Sequence, residues 1–381
     1  MKYYLIAGEP SGDLHGSNLM KGLKKADPEA EFRFWGGDMM SAAGGAENLV
    51  RHYKQMSFFG FVQIAANIGT IMRQIGDCRR DIKRWQPDVV ILVDYPGFNM
   101  RIARFAHEHG IRVFYYIAPK AWAWKEHRVK SLRRYVDRLY VIFPFEREWF
   151  GRRGVESVFC GNPLTDALAC RLPSALSGEE FRRRHGLDGR PIIALLSGSR
   201  RTEIEKNLPD MVALAERMPD RQFVVAGVPW VDERTYDRIV GDSGVRRVCD
   251  ATYELLSVSE AAVVTSGTAT LETALIGVPE MVVYRIPWLY EKLRPLLLRT
   301  PWVSLVNINL GRECVREYVT SHFDAASASE HLRTLLTDGR ERERMLAEFG
   351  ELRAMMGSAG AGERAAASMA EELENRKQRE R

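Results

Sequence analysis

At 381 residues the chain is too long for one ordinary hydrophobic core, so two domains are expected. Apolar residues make up 45% and charged residues 28%, which excludes a disordered or fibrous chain and describes a globular one. The net charge of +5 is too small to argue for nucleic acid, although it favours resting on an anionic lipid surface.

The chain opens on Tyr3–Ala7, an apolar β-prone run, which breaks into Gly8-Glu9-Pro10-Ser11-Gly12-Asp13. The amphipathic positions Leu14, Leu19, Met20 and Leu23 follow. Strand, tight turn and helix N-terminus together bring backbone N–H groups up to an anion. Gly-x-Gly-x-x-Gly is absent, and Glu9 and Ser11 sit inside the turn, so a ligand rich in hydroxyls is expected there; an ordinary βα loop fits the same residues. Further strands are predicted at Glu31–Trp35, Val89–Val93, Arg112–Ile117, Arg138–Ile142 and Val155–Phe159. The Val89–Val93 block is apolar on both faces, as a parallel strand between helix layers should be. A helical apolar stripe runs from Phe61 through Ile64, Ile68, Ile71 and Ile75, and its default place is the core. Phe58 and Phe59 precede it, and with Arg79, Arg80, Lys83 and Arg84 downstream they are expected to form a lip that contacts lipid and acyl chains.

Asp94 follows the buried strand directly. Pro96-Gly97 and Asn99 can start and cap the next helix, which leaves the Asp94 carboxylate available as a general base. Trp122 and Trp124 lie in the loop after the next strand, where they suit stacking on a sugar or packing against acyl chains. Gly161-Asn162-Pro163-Leu164 breaks the pattern and reads as a hinge, followed by a polar helix over Glu179–His185. Alternation then restarts, with strands at Pro191–Leu196, Gln222–Ala226, Val245–Val248, Ala261–Thr265 and Met281–Tyr284. Ser197-Gly198-Ser199-Arg200 lets backbone N–H groups and a bidentate cation approach a diphosphate. Ser266-Gly267-Thr268 forms a second anion site at a helix start, and Glu272 lies one turn on with no capping-box spacing to explain it. After Gly311 strands are expected to stop, with helices to the end fraying over Glu371–Arg381.

This pattern describes an α/β protein with two Rossmann-like doubly wound domains facing across a cleft and a helical C-terminus. The expected boundaries are residues 1–165, 166–345 and 346–381. Five scattered cysteines, odd in number and without metal-ligand spacing, read as reduced thiols of a cytoplasmic protein. Five apolar residues after Lys2 are too few for a secretory signal, and no run approaches the roughly 20 needed to span a membrane. Membrane contact is therefore expected to be peripheral. No Asp-x-Asp pair stands at a strand end, so no metal or other cofactor is called for.

As a set, these motifs resemble the lipid A disaccharide synthases, glycosyltransferases of the two-Rossmann GT-B type. The likeness runs from Gly8-Glu9-x-Ser11-Gly12-Asp13 through Asp94-x-Pro96-x-Phe98-Asn99, Trp122-Ala123-Trp124, Gly198-Ser199-Arg200 and Ser266-Gly267-Thr268-Ala269-x-Leu271-Glu272. It continues to Val303-Ser304-Leu305-x-Asn307 and Gly311-Arg312-Glu313. The resemblance implies transfer of 2,3-diacylglucosamine from its UDP donor to 2,3-diacylglucosamine 1-phosphate, forming a β-1,6-linked disaccharide with inversion. It implies that Asp94 is the general base and that Arg200, Glu272 and Asn307 bind the UDP-sugar and assist catalysis. Glu9 is expected to be catalytic, beside the transferring sugar, and Ser11, Gly12, Asn99, Trp122, Ser199, Ser266, Gly267, Thr268 and Glu313 among the substrate contacts. It further implies the cytoplasmic face of the inner membrane and a homodimer that exchanges C-terminal helices. Two departures stand out: Ser197 replaces the family's usual Pro, and Thr320 falls near the family's Gln. A UDP-N-acetylglucosamine 2-epimerase and a non-catalytic nucleotide-sugar binder are the alternative readings.

Overall fold

In a computed structural model of the chain, residues 1–56, 68–123, 125–172, 176–297 and 300–380 are described. They form two compact units, Met1–Asp166 with Met356–Arg381, and Ala167–Met355. Phe58, Phe59 and Trp124 lie outside the described residues, as does the first half of the Phe61–Ile75 stripe.

The first unit is built on a seven-stranded parallel sheet. Its strands are β1 (Lys2–Ala7), β2 (Glu31–Gly36), β3 (Leu49–His52), β4 (Val89–Val93), β5 (Arg112–Tyr116), β6 (Arg138–Val141) and β7 (Ser157–Phe159). Their order in the sheet is β3-β2-β1-β4-β5-β6-β7. The two-residue period of β1 and β4 sends Tyr4, Ile6, Val90 and Leu92 to one apolar cluster. It sends Tyr3, Leu5, Val89 and Ile91 to the other, so both faces are covered. Buried polar atoms on these strands are paired. The Tyr4 hydroxyl donates to Asp81 at 2.9 Å and accepts from the Trp35 indole at 2.8 Å, and Asp81 in turn pairs with Arg33 at 2.7 Å.

Register is what matters for function. Ala7 pairs with Val93, and Val93 pairs with Tyr116, so β1, β4 and β5 end level. The turns beginning at Gly8, Asp94 and Ile117 therefore emerge side by side, where open α/β sheets bind ligands.

The chain's last helix, Ala361–Glu380, lies against the first, Pro10–Ala26. A Cβ on Gly22 would sit 2.8 Å from the Ala366 Cβ, so only glycine permits this approach. Ala365, Ala366, Met369 and Leu373 complete the same apolar cluster as Leu19, Met20 and Leu23.

The second unit has a six-stranded parallel sheet of β8 (Ile192–Leu196), β9 (Gln222–Gly227), β10 (Arg246–Cys249), β11 (Ala261–Val264), β12 (Glu280–Arg285) and β13 (Glu317–Thr320). The order β10-β9-β8-β11-β12-β13 places a switch point between β8 and β11, whose ends Leu196 and Val264 are paired.

Three expectations fail among the described residues. Strands do not stop at Gly311, because β13 extends the second sheet beside β12. β3 was not anticipated either. Both are four-residue edge strands whose positions are all half-buried, so neither carries an apolar run. The C-terminal helix does not fray from Glu371 but continues to Glu380.

Asp13, within the first turn's motif, serves the fold. It is buried and accepts the N–H groups of Gly37 at 2.7 Å, Met39 at 3.0 Å and Met40 at 3.1 Å, closing the start of the helix Asp38–Gly44. Asp13→Ala should therefore cost about 3 kcal/mol in urea unfolding, because three donors lose their acceptor. A change under about 0.5 kcal/mol would show that the cap contributes nothing.

Candidate active site

Asp94 and Tyr95 both adopt left-handed backbone conformations, with φ of +46° and +47°, and Ile117 at the end of β5 has φ of +66°. Non-glycine residues in this region cost about 1 kcal/mol or more each, so the surrounding structure must hold them there. It does so through the Asp94 carbonyl, which accepts from Asn99 Nδ2 at 2.7 Å and from the Tyr115 hydroxyl at 2.6 Å. The Asp94 N–H donates to the Tyr116 carbonyl at 3.0 Å. The helix Pro96–Glu108 begins at Tyr95, whose own side chain makes no cap, and the Asp94 carboxylate accepts the Tyr95 N–H just ahead of it. Burial raises its pKa above the ordinary carboxylate value, while the charge of Lys120, the Tyr95 N–H and the charge of Arg128 pull it back. This is the environment of a carboxylate that can accept a proton.

The first turn stands against this one. A Cβ on Gly8 would lie 2.4 Å from the Tyr95 ring, so the two loops are in contact through a position that admits only glycine. Glu9 is half-buried, and its charge raises the Tyr95 hydroxyl's pKa after burial has done so. Ser11 is exposed, while Gly12 is buried against Ala7.

Two expected contacts belong to the framework instead. Asn99 is fully buried, and its amide donates to the carbonyls of Val93 and Asp94, so it shapes the turn that carries the carboxylate. Trp122 is also buried, with its indole N–H donating to Glu146 Oε1 at 2.9 Å and its ring edge-on to Phe145. Stacking on a sugar is closed to it in this arrangement. Glu146 was missed in the sequence. It is buried, also accepts the N–H groups of Ile142 and Phe143 at 3.1 Å, and desolvation pushes its pKa up to about 7. The spacing of Phe143 and Glu146 at a helix start was its available signal.

In the second unit the Gly198–Arg200 turn leaves β8, with Gly198 at φ +118°. Two of its donors are engaged. Glu203 Oε2 accepts the Ser199 N–H at 3.1 Å and Oε1 accepts Arg200 at 3.1 Å, so a carboxylate of the chain itself sits in the expected anion site. Ser199 and Arg200 are exposed, and the Trp230 indole donates to the Ser199 carbonyl at 2.8 Å. Arg200, Glu203 and Lys206 border a cavity of about 510 Å³ whose other walls include Tyr284, Arg285, Tyr290 and Val303. Asn207 ties its floor together, donating to the Glu203 carbonyl at 2.8 Å and accepting the Arg285 N–H at 2.8 Å.

The second helix start adjoins this cavity through Val303, whose carbonyl accepts the Ser266 hydroxyl at 2.8 Å. Gly267 has φ of +148° and, as the N-cap of the helix Thr268–Ile276, offers no capping side chain; a helix start of this kind suits an anion. Glu272 is half-buried and accepts the Tyr253 hydroxyl at 2.8 Å; burial raises its pKa and this bond opposes the rise. Asn307 is fully buried. Its amide donates to the Val315 carbonyl and Glu317 and accepts the N–H groups of Cys314 and Val315, so the fold uses the whole side chain. Glu313 lines a separate cavity of about 370 Å³ with Cys314, Arg316, His331, Glu341 and Arg344, none of which borders the Arg200 cavity.

A family model described as lipid-A-disaccharide synthetase matches residues 3–366. The chain belongs to the lipid-A-disaccharide synthase family. It is 36% identical over 376 residues to the lipid-A-disaccharide synthase of Geobacter sulfurreducens, covering 97% of this chain and 96% of that one. The Myxococcus xanthus synthase is 35% identical over 376 residues, with 97% of each chain covered. Solved structures of the same fold include UDP-GlcNAc 2-epimerase from Neisseria meningitidis bound to UDP-GlcNAc, with TM-score 0.63, 14% identity and coverage of 99% and 100%. A ugt transferase from Siraitia grosvenorii in complex with UDP gives TM-score 0.62 at 12% identity, with 98% and 99% covered. At such identities the epimerases share only the architecture. The chain is a glycosyltransferase of the lipid-A-disaccharide synthase family with a GT-B fold.

Both departures from the family pattern are visible. The Ser197 hydroxyl is buried without a hydrogen-bond partner among the described residues, and Thr320 Oγ1 donates to the His322 carbonyl at 3.0 Å. Among the described residues no group of three or more His, Cys, Asp or Glu side chains is arranged to hold a metal.

The Glu146 carboxyl, at about 7 folded against 4.5 unfolded, binds its proton more tightly in the folded chain. Its contribution to stability is therefore complete below pH 4.5 and is lost as pH rises to about 7, by roughly 3 kcal/mol. Glu146→Gln should flatten that fall in unfolding midpoints measured from pH 5 to 8. It should also lower stability at pH 5, because an amide N–H2 would face N–H donors.

Proposed function

We propose that the chain catalyses a single inverting displacement in which 2,3-diacylglucosamine passes from UDP to the 6-hydroxyl of 2,3-diacylglucosamine 1-phosphate. The observation that carries this reading is the Asp94 carboxylate, held half-buried in a strained turn at a strand end, with the Tyr95 N–H and the charges of Lys120 and Arg128 favouring its ionised form. Asp94 takes the proton of the acceptor hydroxyl as its oxygen attacks the donor's anomeric carbon. The bond from that carbon to the UDP oxygen breaks, and the electron pair leaves on the β-phosphate. Arg200 and the N–H groups at Gly267–Thr268 stabilise the departing diphosphate. Glu9 and Ser11 hold sugar hydroxyls beside the base, and Glu272 binds donor hydroxyls. Asn99 acts by positioning Asp94, and Asn307 by fixing the loop that adjoins the cavity.

Occupation of the Ser199 and Arg200 donors by Glu203 gives the binding step a definite form. The incoming diphosphate exchanges with the Glu203 carboxylate, which serves as an internal anion until then. Localisation at the cytoplasmic face of the inner membrane fits substrates with two acyl chains each. It also fits the finding that no described helix is long and apolar enough to cross a membrane. A homodimer that exchanges C-terminal helices rests on the family alone.

The test is release of UDP from the diacylated donor, which should require the acceptor monophosphate. Release at the same rate without acceptor would overturn the reading, as would conversion of UDP-N-acetylglucosamine to its 2-epimer. Asp94→Ala should lower turnover by about three orders of magnitude while UDP binding stays within about twofold. Glu203→Gln should tighten UDP binding several-fold in calorimetry, because it removes a charge that competes with the diphosphate; weaker binding would show that Glu203 supports the site.

A further inference from the structure

Eight large apolar side chains are exposed among the described residues, and four of them, Trp288, Leu289, Tyr290 and Leu293, lie on one helix, Trp288–Leu297. Trp288 and Leu289 are each 57% exposed and Tyr290 is 61% exposed. A patch of this kind marks an interaction surface rather than chance exposure.

Charge identifies the occupant. Arg285, ahead of the helix Trp288–Leu297, is taken up by Asp210, while the helix carries Lys292 and Arg294 in its sequence against the single carboxylate Glu291. That carboxylate is turned to the fold, where it accepts the Ser321 N–H at 2.6 Å. Lys292 is exposed and lies 4.3 Å from the centre of the Trp288 ring, so a cation and an aromatic ring share the same stretch of surface. Apolar and aromatic side chains mixed with lysine and arginine are what a helix lying in an anionic lipid interface presents.

The helix is continuous with the candidate nucleotide cavity, because Ile286, Pro287 and Tyr290 form part of its wall. We propose that the helix Trp288–Leu297 docks the second unit on an anionic lipid surface, bringing the cavity to donors whose acyl chains stay in the lipid. The docking stands on the helix itself; its purpose rests on the UDP reading of the cavity.

The full-length protein is sedimented with vesicles of phosphatidylcholine, with and without phosphatidylglycerol. The wild type should partition preferentially to the anionic vesicles. Trp288→Ser/Leu289→Ser/Leu293→Ser should reduce that partition roughly tenfold, and Lys292→Glu by a smaller factor. The thermal midpoint should change little, since the replaced side chains are exposed, and this separates lost docking from lost fold. Undiminished binding of the triple variant to anionic vesicles overturns the proposal. So does a wild-type dimer that the substitutions turn into a monomer without altering partition, since the face would then pair two copies. A variant with a collapsed thermal midpoint also overturns it, because the helix would then be structural. UDP calorimetry is run in parallel; absent UDP binding by the wild type would remove the nucleotide reading and leave the vesicle result intact.

Discussion

The Asp94 carbonyl is the pivot of the first unit. It accepts from Asn99 on one side and the Tyr115 hydroxyl on the other, and these bonds hold two successive non-glycine residues in the left-handed region. Neither donor faces water, so leaving either unpaired would cost as much as the strain it offsets. The cost keeps the carboxylate clear of the helix that follows. Asn99 and Tyr115 belong to different elements, a helix and a strand, and the level ends of β4 and β5 let both reach one oxygen.

The second unit solves a different problem. On the proposed reading, a site that takes a diphosphate carries concentrated positive charge and unpaired N–H groups, which is unfavourable when nothing is bound. Glu203 relieves this by lending its carboxylate to the Ser199 N–H and the Arg200 guanidinium. The helix start at Gly267 has no capping carboxylate of this kind among the described residues. The two anion sites thus differ in kind: one is internally neutralised and the other is preorganised.

Most of the architecture was legible because parallel strands buried on both faces are nearly unbroken apolar runs. Val89–Val93 and Ala261–Val264 are examples, set apart from buried helix by their short length and their valines. The edge strands Leu49–His52 and Glu317–Thr320 were not legible, since each is half-buried and paired on one side only. In the site, positions at strand ends were readable and side-chain orientation was not. Asn99, Trp122 and Asn307 have the right chemistry for sugars, but burial gave each of them to the framework. Glu203 and Glu146 were overlooked because a carboxylate three residues into a helix resembles routine capping. Only the three-dimensional arrangement shows what each one holds.

The helix Ala361–Glu380 has a bearing on how the protein is made. The first unit's apolar cluster needs Ala365, Ala366, Met369 and Leu373, which are translated after the whole of the second unit. The second unit is one uninterrupted stretch, Ala167–Met355, and holds everything required for its own sheet. Completion of the two folds therefore runs against the order of synthesis. The segment translated first must wait with an uncovered face against its opening helix, while the segment translated second can fold completely. A chain truncated in its last twenty residues would lose the closure of the unit that bears Asp94, although that residue lies far away in sequence.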